Sequence, residues 1–70
     1  MPLGNRVKEF RAGKNINQQE LGSLVGVSRQ TISLIERGDY NPSITLALKI
    51  SAVFGKNVEQ VFYLTEEEST

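Results

Sequence analysis

The chain has 70 residues, no net formal charge, no cysteine and no histidine. This length predicts one small domain. The missing residue types exclude disulfides and thiolate metal sites and remove the commonest general base, so we expect no metal, no cofactor and no enzyme activity. The chain also lacks a long apolar stretch and a signal-peptide pattern, which predicts a cytoplasmic protein without a membrane partner.

The charges are unevenly distributed along the chain. All eight basic residues lie in the first 56 positions with four acidic residues, which gives this part a formal charge of +4. The last 14 residues carry a charge of −4. Because contact with phosphates depends on local charge, overall neutrality does not exclude nucleic-acid binding.

The first two helices are predicted from capping residues and apolar spacing. The first helix is expected from about Asn5 to Gly13, with Val7 and Phe10 on its inner side. Asn17 followed three residues later by Glu20 resembles a capping box, and it predicts a second helix that ends near Val25. The spacing i, i+3, i+4 predicts an inner face made of Leu21, Leu24 and Val25.

A sharp turn and a third helix follow. Gly26 can adopt positive φ at low cost, and Ser28 can cap a helix that runs to Arg37. Ile32 and Ile35 form its narrow inner stripe. Its outer side chains are then Arg29, Gln30, Thr31 and Ser33. Arg and Gln can each form two hydrogen bonds to a base edge, whereas a merely solvated face favours Lys and Glu. This choice of residues favours nucleic-acid binding.

Residues 38–42 form a predicted loop, after which Ser43 can cap a fourth helix that ends at Phe54. Two apolar stripes suggest that this helix is central. One stripe consists of Ile44, Ala47, Leu48, Ser51 and Phe54, and the other of Leu46, Ile50 and Val53.

The end of the chain is predicted to contain a short helix, a strand and a tail. Asn57 and Gln60 resemble a cap and its partner, which opens a fifth helix through Phe62. Tyr63-Leu64 is expected to be extended and can pair with Pro2-Leu3. Residues 66–70 are expected to form a disordered acidic tail.

The pattern resembles the Xre family, the Cro and lambda-type repressor group of helix-turn-helix regulators, and is especially similar to short cytolysin-type repressors. The similarity covers roughly Val7 to Phe62 and rests on Gln18, Gly22, Gly26, VSRQTIS, IERG and NPS. Gly22 departs from the alanine more usual in the family, although it keeps the required small size. The resemblance implies a compact all-α domain of five helices over residues 1–65, with the helix-turn-helix at 18–37.

The resemblance also implies a function. The chain would be a sequence-specific double-stranded-DNA-binding transcriptional regulator, a repressor with its third helix in the major groove. Base contacts would come from Arg29, Gln30 and Ser33, with Thr31 on a thymine methyl group or a phosphate. The candidate phosphate contacts are Gln18, Asn17, Ser28, Lys14, Arg37, Tyr40 and Asn41. Arg11 and Glu36 match a structural ion pair.

A homodimer is expected to place two third helices about 34 Å apart on a palindromic operator. The interface is predicted at Val58, Val61, Phe62, Tyr63 and Leu64, together with part of the fourth helix. These residues could instead close the core of the monomer.

Three alternatives remain at this stage. The outer residues of the third helix could be an ordinary solvated face. The protein could be an antitoxin-like interaction module in which DNA binding is secondary. An enzyme would need a carboxylate–lysine or serine site, and no grouping of residues suggests one. No small-molecule ligand is evident from the sequence.

Overall fold

A computed structural model describes residues 3–65 of the protein. Its elements, in chain order, are β1 (Leu3–Asn5), α1 (Val7–Gly13), α2 (Gln18–Val25), α3 (Arg29–Arg37), α4 (Ile44–Phe54), α5 (Val58–Val61) and β2 (Phe62–Leu64). The predicted architecture of five helices is confirmed. The expected acidic tail at 66–70 lies outside the described residues. Within residues 3–65, no helix is long and apolar enough to cross a bilayer.

The two strands form an antiparallel pair that joins the ends of the domain. Leu3 pairs with Leu64 and Gly4 with Tyr63. The predicted pairing of the termini is therefore present, although Pro2 lies outside the described residues. The strand begins at Phe62, so α5 ends one residue earlier than predicted.

Helix α1 begins at Val7 rather than near Asn5, because Asn5 belongs to β1. The Asn5 side chain has two roles at this junction. Its oxygen accepts a hydrogen bond from the Val7 amide at 3.1 Å, and its nitrogen donates to the Ile35 carbonyl at 2.9 Å. This one side chain thus orders the start of α1 and ties β1 to α3.

The caps predicted for α2 and α3 are formed. Asn17 accepts from the Glu20 amide and donates its own amide to the Glu20 carboxylate, which completes a capping box. Gly26 ends α2 in the left-handed conformation, with φ of 84°. Ser28 then accepts from the Thr31 amide at the start of α3. Local hydrogen bonds therefore define both helices of the motif and the turn between them.

The core lies beneath α4, which packs against α1, α2 and α5. Its largest fully buried side chains are Leu21, Ile32, Ile35, Ile50, Val7 and Val61. Ser51 is the one buried polar residue in the described part, and its hydroxyl donates to the Ala47 carbonyl at 2.8 Å. The hydrophobic burial that stabilises the fold is thus drawn from every helix.

Three apolar residues that were expected to face inward are exposed. Leu24 is 63% exposed, Ile44 68% and Leu48 51%. In α2, Leu21 and Val25 already fill the side that faces the core. In α4, the neighbouring helices cover one side, so residues at the edge of the predicted stripe remain in solvent. The two apolar stripes therefore predicted that more of the α4 surface is buried than the neighbouring helices actually cover.

The turn after α2 folds back so closely on this helix that Gly22 has no space for a side chain. A Cβ at this position would lie 2.5 Å from the Val27 carbonyl oxygen. The Gly22 carbonyl accepts hydrogen bonds from the Gly26 and Val27 amides, at 2.8 and 2.9 Å, so the turn is also held to this point of α2. Backbone, rather than a flexible side chain, would have to move to admit alanine.

We expect Gly22→Ala to lower the free energy of unfolding by about 1–3 kcal/mol, because the clash outweighs the gain in helix propensity. Gly13→Ala is the matched control, since a Cβ there meets nothing within 4 Å. That control is expected to raise stability by up to about 1 kcal/mol. Urea unfolding followed by circular dichroism measures both. Equal stabilisation by the two substitutions would contradict the close approach.

Candidate nucleic-acid interface

The first turn of α3 presents polar side chains to solvent. Arg29 and Gln30 are exposed, whereas Ile32 and Ile35 on the opposite side are buried. Ser33, one turn further along the outer side, is partly buried. This helix can therefore place a guanidinium and a carboxamide on another molecule while its inner face stays in the core.

Thr31 differs from its neighbours because its hydroxyl has a local partner. The Ser28 and Thr31 hydroxyl oxygens lie 3.1 Å apart, and the Ser28 oxygen also accepts from the Thr31 amide at 3.2 Å. Thr31 is partly buried and Ser28 is exposed. The two hydroxyls thus form part of the helix cap, which leaves Arg29, Gln30 and Ser33 as the more available candidates for base contact.

Gln18, the first residue of α2, is held by the end of α3. Its side-chain Nε2 donates to Glu36 Oε1 at 3.0 Å, and the residue is partly buried. Each carboxamide nitrogen has two hydrogens, so one donor of Gln18 remains beyond this bond. The neighbouring Asn17 is exposed and uses its side-chain oxygen in the capping box.

The ion pair expected between Arg11 and Glu36 is present and mostly buried. Arg11 Nε lies 2.8 Å from Glu36 Oε2, and Arg11 Nη2 lies 3.2 Å from Oε1. Arg11 Nη1 also donates to the Ile16 carbonyl at 3.0 Å. The side chains are only 15% and 6% exposed. The pair therefore fixes α1, the loop before α2 and the end of α3 relative to one another.

The remaining phosphate candidates lie on the surface, where Lys14, Arg37, Tyr40 and Asn41 are all exposed. Arg37 Nε lies 3.5 Å from Asp39 Oδ2, and both side chains are 61% exposed. An exposed ion pair of this kind contributes little to the free energy of unfolding, and its two partners separate easily. Arg37 can therefore leave Asp39 for another anion at small cost.

The predicted dimer residues separate into two groups. Val61 is fully buried and Phe62 is 7% exposed, and Val58 packs against the same core. These three side chains pack into the monomer core, which favours the alternative that they close the core rather than form an interface. Tyr63 and Leu64 are 38% and 60% exposed and stay available to a partner.

Two contacts that shape this end of the molecule were not predicted from the sequence. The Arg6 guanidinium lies 4.7 Å from the centre of the Tyr63 ring, and that ring covers Gly4 on the paired strand. The hydrogen bond from Asn5 to Ile35 was also missed. Asn two residues before a helix is a signal for such a local turn, but its second bond depends on the tertiary fold.

A helix-turn-helix family model matches residues 7–61 of the chain. The HTH-type transcriptional regulator YgzD of Bacillus subtilis (strain 168) is 54% identical over 65 residues, which cover 93% of this chain and 98% of that protein. Residues 7–61, which the family model matches, contain all five helices and the Arg11–Glu36 pair.

Two solved structures have similar folds. The P22 c2 repressor, in complex with a synthetic operator, gives a TM-score of 0.75 at 31% identity and covers 77% of this chain and 82% of that chain. The N-terminal DNA-binding domain of SinR from Bacillus subtilis gives a TM-score of 0.71 at 38% identity, with coverage of 77% and 80%.

We expect Glu36→Ala to lower the free energy of unfolding by about 3–5 kcal/mol, because it leaves a largely buried guanidinium without its carboxylate. Asp39→Ala removes the carboxylate of an exposed pair and should cost less than about 1 kcal/mol. Thermal and urea unfolding of both variants provide the measurement. Similar small losses of unfolding free energy for the two variants would show that the Arg11–Glu36 pair contributes no more to stability than an exposed pair does.

Proposed function

Since the chain belongs to the helix-turn-helix family of DNA-binding transcriptional regulators, we propose that it recognises a specific double-stranded DNA sequence by inserting α3 in the major groove. The family is not a class of enzymes. The observation that carries the proposal is the exposed pair of Arg29 and Gln30 on a helix whose opposite face is buried. Rigid support and outward polar groups are what recognition of a groove requires.

In this proposal, base specificity comes from Arg29 and Gln30, with a further contact from Ser33. Arg29 would bond guanine O6 and N7 together, and Gln30 would bond adenine N6 and N7. Each good contact of this kind discriminates against a wrong base by about 1–3 kcal/mol. Thr31 is assigned to a thymine methyl group or a phosphate, and the methyl contact is the favoured one because the Thr31 hydroxyl already serves the cap.

Phosphate contacts would set the position of α3 on the duplex. Gln18 is the first candidate, since it begins α2 and retains one Nε2 hydrogen beyond its bond to Glu36. The other candidates are Asn17, Ser28, Lys14, Arg37, Tyr40 and Asn41, all of which are exposed. With few basic residues among them, we expect weak non-specific binding and clear dependence on salt.

The protein is proposed to act as a homodimer on a palindromic operator, with two copies of α3 about 34 Å apart. Exposed apolar residues on adjoining elements support the interface. Ile44 and Leu48 lie on α4, which packs against α5, and β2 follows α5 directly with Tyr63 and Leu64 exposed. This revised surface replaces the interface expected from Val58, Val61 and Phe62.

The regulatory effect is proposed to be repression through occupation of promoter DNA. The P22 c2 repressor supports this by its similarity to the chain. Action on chromosomal DNA would place the protein in the cytoplasm, at the nucleoid. A promoter assay distinguishes the roles, because repression requires lower transcription at a bound site and activation would reverse the sign.

Arg29→Ala is expected to relax base preference at one position in each half-site and to weaken specific binding by about 1–3 kcal/mol per contact. Gln18→Ala should weaken specific and random duplexes alike, because phosphate contacts carry no sequence information. Selection from a random duplex pool, followed by titration with the selected and a scrambled duplex, tests both. Equal losses on the two duplexes for Arg29→Ala would remove it from the base-contacting set.

Leu48→Lys is expected to shift self-association toward monomer, because it places a charge on the proposed interface. Leu24→Lys is the control, since Leu24 is as exposed but lies on α2, outside that surface. Sedimentation velocity over a range of concentrations gives the stoichiometry of each protein. A monomeric wild-type protein, or equal dissociation by both variants, would count against this interface.

A further inference from the structure

The hydrogen bond between Gln18 and Glu36 joins the proposed phosphate-contacting helix to the proposed base-contacting helix. Gln18 occupies the first turn of α2, and Glu36 the last turn of α3. The distance between Gln18 Nε2 and Glu36 Oε1 is 3.0 Å. Unlike the cap bonds, this contact spans 18 residues of sequence and depends on how the two helices are packed.

The chemistry of the two groups determines which way the carboxamide points. A carboxylate only accepts hydrogen bonds, so the nitrogen of Gln18, and not its oxygen, must face Glu36. The Glu36 side chain is itself held by Arg11 Nε and Nη2 and is only 6% exposed. A fixed acceptor thus selects one of the two orientations of the Gln18 amide and leaves its second N–H directed elsewhere.

We propose that Glu36 is a positioning residue for DNA binding, which holds the Gln18 carboxamide with an N–H available to a phosphate. The inference rests on the proposed function, because it assumes that Gln18 contacts the DNA backbone. Glu36 itself does not touch DNA. Its place at the end of α3 means that the phosphate donor on α2 and the base-contacting residues on α3 share one fixed framework.

The substitution Glu36→Gln distinguishes a positioning effect of Glu36 on DNA binding from an effect of its negative charge. Removing a negative charge near phosphates would strengthen DNA binding if only Coulomb forces acted. The new amide, however, has a single acceptor oxygen, and Arg11 with its five N–H donors competes for it. Gln18 would then face an N–H group and lose its orientation. If Glu36 positions Gln18, Glu36→Gln should therefore weaken DNA binding. If only the charge of Glu36 matters, the same substitution should strengthen it.

The test is a double-mutant cycle on the full chain with the duplex selected from a random pool, using Gln18→Ala, Glu36→Gln and the double variant. Gln18→Ala is expected to weaken binding by about tenfold, as for a hydrogen bond to a charged group. Glu36→Gln should weaken binding by roughly fivefold in the wild-type background and by less than about twofold beside Gln18→Ala.

Equal losses in both backgrounds, or tighter binding by Glu36→Gln, would overturn the positioning role while leaving DNA binding intact. Failure of the wild-type protein to select any duplex would instead refute the proposed function. Asp39→Asn serves as the charge control, because it removes an exposed carboxylate that does not contact Gln18.

A second measurement needs no variant at position 36. Nitrogen relaxation of side-chain amides in the free wild-type protein compares Gln18 Nε2 with the exposed Gln30, and Gln18→Ala identifies the signal. If Glu36 positions Gln18, the Gln18 side-chain amide should be rigid on the picosecond to nanosecond timescale, whereas the Gln30 side-chain amide should be mobile. Equal mobility of the two amides would show that Glu36 does not fix the carboxamide.

Discussion

The carboxylate of Glu36 connects three helices through side-chain hydrogen bonds. It accepts two N–H groups from Arg11 on α1 and one from Gln18 on α2, while it is itself part of α3. A buried charge is tolerated when it is paired and hydrogen-bonded, and the Glu36 side chain is only 6% exposed. Because the fold is small and its hydrophobic core is limited, these hydrogen bonds help to fix how α1, α2 and α3 are packed against one another.

The outward face of α3 depends on that inner framework. Ile32 and Ile35 anchor the helix in the core, and the close contact between Gly22 and Val27 holds the turn that precedes α3 against α2. Arg29 and Gln30 are therefore long, exposed side chains on a helix whose opposite face is buried in the core. The same packing leaves apolar residues of α4 and β2 uncovered, which is the surface that a second copy is proposed to bury. The proposed DNA recognition and the proposed self-association would thus both depend on how this core is packed.

Local chemistry accounts for the parts that the sequence predicted well. Asn17 with Glu20, Ser28 and Ser43 are short-range caps, so the bounds of α2, α3 and α4 followed from neighbouring residues. Leu24, Ile44 and Leu48 were misplaced because apolar periodicity does not tell how much of a helix its neighbours cover. The sequence likewise could not show that Val61 and Phe62 pack into the core of the monomer. The bond from Gln18 to Glu36 could not be predicted, since it requires the crossing of α2 and α3.

A crystal structure of the protein with a duplex selected from a random pool would show how α3 engages DNA. We expect two protomers on a palindromic site, each with α3 in the major groove and the two copies about 34 Å apart. We also expect Arg29 to contact a guanine edge, and Gln18 to donate one N–H to a phosphate while the other stays bonded to Glu36. A complex in which α3 lies outside the groove, or in which Arg29 and Gln30 remain in solvent, would contradict the proposed mode of DNA binding.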